Sequence, residues 1–251
     1  MKIVAVIPAR MGSTRFPGKP LAPILGRPMI EHVYRRTAMS PVLNDVFVAT
    51  CDQQIMDAVR TFGGKAIMTS SSHQRASDRV AEAAANLNAD IIVMVQGDEP
   101  MTYPKMIESS VAPLQKGDDR IACVNLTARI QTEKEFADPN TIKVVMDSDG
   151  FAVYMSREPI PTRHLQPFDQ LAAYKQVCII PFTAASLQEF IRLSPTPLEV
   201  AESIDMLRFI EHGRKVKMVQ TEYATHAVDT PEDLKRVEAL LQKDPLTKEY
   251  L

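Results

Sequence analysis

Short apolar, β-branched runs alternate along this chain with segments of helical period. Lys2–Ile7 is apolar from Ile3 onward, the pattern of a strand covered on both faces. Ala9–Lys19 carries Gly12, Pro17 and Gly18 and reads as a loop. Pro28, read as a first helical turn, opens a helix Pro28–Met39 with Ile30, Val33 and Tyr34 on one face. Asp45–Thr50 reads as a second strand, and Asp52 as the cap of a helix running to Phe62 and ended by Gly63-Gly64. Ala66–Met68 is a third strand, Ser77–Leu87 a helix, and Asp90–Val95 a fourth strand. Four βα units in succession predict a mostly parallel sheet wound with helices on both faces.

Beyond the helical segment Pro104–Gln115 the pattern loosens. Ile121–Thr127, Thr141–Met146 and Phe151–Tyr154 read as strands, the last two joined by the turn Asp147–Gly150. Pro159–Phe168 is a Pro-rich polar loop and Ala173–Pro181 a further strand. Ala184–Leu193 and Glu202–His212 read as helices and Lys215–Gln220 as a strand. Pro231–Gln242 is the last helix, with Thr230 as its N-cap. The economical reading is one α/β domain over residues 1–251 with an inserted lobe at about residues 130–182.

Composition narrows the class. With 45% hydrophobic and 24% charged residues the chain is an ordinary globular one, not a disordered one. Net charge is −2, so there is no basic excess to bind nucleic acid non-specifically. No apolar run approaches a membrane span, and Met1–Arg10 reads as a first strand rather than a secretory leader. Cys51, Cys123 and Cys178 form no CxxC, which predicts packed thiols in a reducing cytoplasm.

Four segments carry chemistry. Pro8–Pro20 follows the first strand and brings Gly12, Gly18, Arg10, Arg15, Lys19 and hydroxyls together, suited to phosphates at the carboxyl end of a parallel strand. It is neither a Walker A loop nor GxGxxG, which disfavours a dehydrogenase. Gln96-Gly97-Asp98-Glu99-Pro100 follows the fourth strand and offers a carboxylate to a hard divalent cation. In Val228–Asp233, capping explains Thr230, Pro231 and Asp233 but leaves Asp229 over. His73–Arg79 is a polar loop entering a helix, where Arg79 opposes the dipole.

Together these blocks resemble the nucleotide-sugar cytidylyltransferases, and most closely the 3-deoxy-manno-octulosonate (KDO) cytidylyltransferases. The resemblance rests on Ile7–Arg10, Ser13-Thr14-Arg15-x-Pro17–Pro20, Gly26-x-Pro28–Ile30, Val48-Ala49-Thr50-x-Asp52, Gln96–Pro100, Lys143–Val145, Ser156-Arg157-x-x-Ile160-Pro161 and Val228–Asp233. It implies a Rossmann-like nucleotidyltransferase, a three-layer α/β/α fold with a small dimerisation lobe and a homodimer. It implies transfer of CMP from CTP to the anomeric hydroxyl of an acidic sugar, with pyrophosphate released, in bacterial lipopolysaccharide synthesis. Lys19, Asp98, Asp229 and Arg10 would be catalytic, and Asp98 and Asp229 would hold Mg²⁺. Pro8, Ala9, Arg10, Ser13, Arg15, Lys19, His73, Ser77, Arg79, Gln96 and Asp98 would bind the nucleotide. Gln96, Arg157, Gln176, Asp205 and Arg75 would face the acceptor.

Departures from the family pattern fall on the acceptor side. Arg75-Ala76-Ser77-Asp78-Arg79 stands where the family has Ser-Gly-Thr-Glu/Asp-Arg. Gln176, Ile180, Phe182 and Met206 replace groups that carry hydrogen-bonding functions in the family. An acceptor hydroxyl against Ile180 or Phe182 would lose its partner, at roughly 1–3 kcal/mol each. This predicts poor use of the ordinary eight-carbon sugar. Other readings are CMP transfer to a neuraminate-like sugar, an amino-ulosonic acid or a phosphonate, and a non-catalytic nucleotide-binding regulator. The regulator is disfavoured because Lys19, Asp98 and Asp229 are all present.

Overall fold

A computed structural model describes residues 1–13, 15–224 and 226–251; Thr14 of the first motif lies outside the described residues. In chain order the elements are β1 (Ile3–Ala9), β2 (Pro23–Ile24), β3 (Arg27–Pro28), α1 (Met29–Ala38), β4 (Asp45–Thr50), α2 (Gln53–Thr61), β5 (Ala66–Met68), α3 (Ala76–Ala84), β6 (Ile91–Val95) and α4 (Pro104–Gln115). There follow β7 (Ile121–Arg129), α5 (Glu133–Ala137), β8 (Lys143–Met146), β9 (Ala152–Ser156), β10 (Tyr174–Val177), β11 (Ile179–Thr183), α6 (Ala184–Arg192), α7 (Pro197–Glu202), α8 (Met206–Glu211), β12 (Lys215–Gln220) and α9 (Pro231–Leu241). The chain divides into two compact units, Met1–Glu108 with Ala224–Leu251, and Ser109–Tyr223.

The first unit is the wound βα half. Its strands run parallel in the order β5-β4-β1-β6, and β1 and β6 are buried along their whole lengths. Burial on both faces explains why both read as unbroken apolar runs rather than alternating ones. The C-terminal segment returns to this unit, where Val228, Val237 and Leu241 pack with Ile24, Met29 and Met101. Arg36, buried completely, donates to Thr102 O at 2.8 Å and pairs with Asp244 at 2.6 Å.

The second unit is built around β7. β10 and β11 pair antiparallel with successive stretches of it, and β12 runs parallel to it. β8 pairs with β10, and β9 pairs with β8 at the end of the order. Phe182, Phe190 and Phe209 form an aromatic cluster with centroids 5.1–6.3 Å apart. Beside it, buried Arg208 grips Glu199 at 2.6 and 2.8 Å and stacks on Phe190.

Several sequence expectations change in detail. The segment Pro28–Met39 does not begin its helix at Pro28, which pairs in the small β2–β3 ribbon and stands outside the first turn of α1. Asp52 makes no side-chain cap for α2. The stretch Ala173–Pro181 is two strands broken at Cys178, since β10 and β11 meet β7 at different registers. Glu202–His212 is not one helix: α7 ends at Glu202, and Ser203 at φ +54° turns the chain before α8. The short helix α5 carries no full helical period and escaped the pattern; Thr132 caps it. Thr230 does cap α9, in a reciprocal capping box with Asp233.

Candidate active site

The candidate site belongs to the first unit and is assembled at the carboxyl ends of β1 and β6. After β1 the chain turns through a loop pinned at Met11. The Met11 N–H donates to Asp52 Oδ2 at 2.8 Å, and the N–H groups of Ser13 and Gly18 donate to Met11 O. Asp52 thus serves the loop rather than its own helix. Gly18, at φ +74°, takes a left-handed conformation that leads Lys19 into a single 3-10 turn, Lys19–Leu21.

After β6, Gly97 passes so close to β1 that a Cβ there would lie 2.8 Å from Pro8 O. Gly97 therefore has a steric rather than a conformational reason. Asp98 O accepts from Val228 N at 2.9 Å, which ties the segment before α9 to this turn. That hydrogen bond and the Thr230–Asp233 capping box bring Asp229 beside Asp98 across 131 residues of sequence.

Lys19 lies between the two carboxylates. Its Nζ donates to Asp98 Oδ2 at 2.9 Å, to Asp229 Oδ1 at 3.3 Å and to Val228 O at 2.7 Å. Arg15 pairs with Asp229 Oδ1 at 3.1 Å. Burial pulls the Lys19 pKa down, but the Asp98 and Asp229 carboxylates outweigh it and hold the pKa above the ordinary lysine value. Lys19 and Arg15 use one oxygen of each carboxylate, leaving Asp98 Oδ1 and Asp229 Oδ2 outside these contacts.

These groups line a cavity of about 320 Å³ together with Pro8, Ala9, Arg10, Gly12, Ser13, Pro20, Gln96 and Gly97. His73, Gln74, Arg75, Ala76 and Arg79 close another side. Five cationic side chains (Arg10, Arg15, Lys19, Arg75, Arg79) thus face two carboxylates, a balance suited to a polyanion. Buried Arg79 is fixed by Thr69 Oγ1 at 2.5 Å and by Ser70 O. His73 is held by Glu82 through its Nε2. The Ser70 N–H, then His73, keep the Glu82 carboxyl below the ordinary carboxylate range.

Eleven of the residues expected to bind nucleotide, metal or acceptor therefore surround one cavity with Asp229: Pro8, Ala9, Arg10, Ser13, Arg15, Lys19, His73, Arg75, Arg79, Gln96 and Asp98. Ser77, the second residue of α3, is fully buried and is not among them. Arg75, expected on the acceptor side, lines the same wall as His73 and Gln74. Arg157, Gln176 and Asp205 belong to the second unit. There Arg157 donates to Glu202 O and Pro139 O, Gln176 donates to Asn125 Oδ1 at 2.5 Å, and Asp205 stands at the start of α8.

Ile180, Phe182 and Met206 are at most 2% exposed and sit in the interior of that unit. They offer an acceptor no surface here, whereas Gln176 of the same set is half-buried. Asp52 and Glu82 were missed as supports of the site. Along the chain Asp52 reads as a cap and as part of the Val48–Asp52 block, and no local signal singles out Glu82.

A family model described as cytidylyltransferase matches residues 4–218. The chain belongs to the cytidylyltransferases. The matched stretch ends before Asp229, which this fold brings back to the site. The 3-deoxy-manno-octulosonate cytidylyltransferase of Geobacter metallireducens is 46% identical over 94% of this chain and 96% of its own length. That of Geotalea uraniireducens is 45% identical over 97% of this chain and 100% of its own. A solved CMP:2-keto-3-deoxy-manno-octonic acid synthetase complexed with CTP superposes with a TM-score of 0.89 at 38% identity, covering 97% of this chain and 99% of that one. A 4-diphosphocytidyl-2C-methyl-D-erythritol synthase from Anaerococcus prevotii, at 17% identity and a TM-score of 0.63, shares the fold. Thus the α/β nucleotidyltransferase fold and the nucleotidyltransferase class expected from sequence both hold. Among the described residues no helix is long and apolar enough to cross a membrane.

Proposed function

We propose that this cytidylyltransferase transfers CMP from CTP to the anomeric hydroxyl of 3-deoxy-manno-octulosonate and releases pyrophosphate. The observation that carries the reading is the convergence of Lys19, Asp98 and Asp229 with Arg10 and Arg15 around one cationic cavity. The names of the relatives that match nearly end to end support the acceptor.

The donor set fits Mg²⁺. Among the described residues no cluster of three or more His, Cys, Asp or Glu forms, so the carboxylate pair stands without a further protein ligand of these types. A hard cation that keeps waters and takes one or two carboxylates plus substrate phosphates matches such a pair. Asp98 and Asp229 would hold it, and when bound it would supply charge neutralisation at the phosphate under attack. The rest follows from this chain's own groups. Arg10 and Arg15 bind and orient the phosphates, and Lys19 supplies positive charge beside them. Arg79, locked by Thr69, holds the wall at the start of α3, and His73 with Gln74 borders the nucleotide. No covalent nucleophile is required, and the Cys123 thiol is pushed upward by burial, away from reactivity.

In this reading the chain works as one nucleotidyltransferase domain over residues 1–251, and the lobe at about residues 130–182 pairs two copies. The edge position of β9 and the exposure of Val153 on it support pairing there. The decisive assay is pyrophosphate release with CTP against a panel of acidic sugars and phosphonates. Fast release with 3-deoxy-manno-octulosonate supports the reading, and release only with another acid overturns the acceptor.

A further inference from the structure

An ammonium group has three donors and no acceptor. In the structure all three donors of Lys19 have acceptors: Asp98 Oδ2 at 2.9 Å, Val228 O at 2.7 Å and Asp229 Oδ1 at 3.3 Å. None is left for a phosphate oxygen. The side chain is 13% exposed, so the three contacts enclose it rather than graze it. Two carboxylates brought together without a cation would repel one another. Here one comes from the turn after β6 and the other from the segment before α9, and the ammonium between them joins the two. Arg15 adds a second positive charge on the same Asp229 oxygen.

A divalent cation drawn to this pair therefore meets a like charge already in place. If Asp98 and Asp229 hold the metal, as the function above requires, Lys19 and the metal compete for one pair of carboxylates. We propose that Lys19 is the resident cation of the Asp98–Asp229 pair and is exchanged for the divalent metal when the nucleoside triphosphate arrives. The triphosphate supplies the negative charge that lets both cations remain. It also supplies the oxygens to which the released ammonium turns. The metal then enters with the nucleotide and not before it, and the free protein binds divalent cations poorly by construction.

The test is Mn²⁺ binding to the whole protein without nucleotide, read from the electron paramagnetic resonance signal of free Mn²⁺. Lys19→Met, which removes the charge and keeps the length, should bind Mn²⁺ at least ~10-fold more tightly than wild type, the scale of removing one like charge a few ångström away. Equal affinity in a Lys19→Met protein that melts cooperatively overturns the exchange while leaving the metal site standing. Mn²⁺ bound by neither protein overturns the exchange, since removing Lys19 then opens no site, while Mn²⁺ binding with CTP present reports separately on the metal assignment.

A measurement on wild type covers the case in which Lys19→Met does not fold. The Lys19 ammonium signal in nitrogen-15 NMR should persist on adding Mg²⁺ alone and shift on adding Mg²⁺ with CTP. A shift with Mg²⁺ alone, or none with both, overturns the exchange. Pyrophosphate release by wild type reports on the function separately from either result.

Discussion

Asp229 shows how much a single carboxylate can depend on its neighbours. Its backbone is placed by the Val228 N–H on Asp98 O and by the capping box one residue further, and its carboxylate is then held by Lys19 and Arg15. Asp98→Asn and Asp229→Asn each remove a charge from the pair that faces Lys19. Each should lower turnover by at least ~100-fold, the scale of losing a charge-stabilising group in a transition state. The thermal melt should stay near that of wild type, because both side chains are a quarter to a third exposed. Near-normal turnover in both variants would contradict the site. Gly97→Ala tests a different kind of constraint. Its Cβ would meet Pro8 O at 2.8 Å, so β6 and β1 must shift apart. A loss of about 1–3 kcal/mol is expected in denaturant titration, with CTP binding weakened in the same variant. That Asp98, Asp229 and Lys19 belong to one site could be suspected from the chain, because each follows a strand or is left over by capping. Ser77 could not be placed from the chain, because only the rotation of α3 decides that it faces inward.

At the scale of elements, the site is a set of ends: the ends of β1 and β6 and the starts of α3 and α9. Their supports are side chains elsewhere. Asp52 holds the loop after β1 through Met11 N, so Asp52→Ala should raise KM for CTP more than it lowers kcat, read from steady-state kinetics. In the second unit, Glu199 grips Arg208 with two hydrogen bonds in the interior, joining α7 to α8. Removing Glu199 leaves the buried Arg208 charge with the Phe190 carbonyl and ring but without its carboxylate. Glu199→Ala should therefore cost about 3–5 kcal/mol in equilibrium unfolding. The strand and helix positions of the first unit were legible because buried parallel strands need unbroken apolar runs. The α7–α8 break was not, because the turn at Ser203 falls inside a continuous helical period and puts a serine in the left-handed conformation that glycine or asparagine would have signalled.

At the scale of the whole molecule, pH and assembly are the accessible handles. His32 is fully buried; its Nε2 donates to Ile24 O and its Nδ1 accepts from Tyr250 OH, each at 2.8 Å. Burial lowers its pKa below the ordinary histidine value of 6.5. The unfolded chain then binds the proton more readily than the folded one, so folding stability rises with pH in the range just below 6.5. His32→Gln should flatten that part of the stability–pH curve, measured by urea midpoints on either side of it, and an unchanged slope would remove His32 from the account. Val153→Glu on the β9 edge should shift the protein from dimer to monomer in light scattering if that edge pairs two copies.

Over the whole chain, the order of chemical groups determined the class by itself. Strand-terminal loops rich in cations and glycine, a carboxylate after a fully apolar strand, and an aspartate unexplained by capping are local patterns. Local patterns survive being read in one dimension. What the tertiary structure alone decided is which of those groups meet, and in what state. Lys19 reads along the chain as a phosphate-binding lysine, yet in the fold its three donors are held by residues 79, 209 and 210 positions away. Ile180, Phe182 and Met206 read as altered substrate contacts, yet packing turns them inward. Hydrophobic periodicity is fixed by neighbours in sequence, whereas charge pairing and burial are fixed by neighbours in space, and only the fold supplies those.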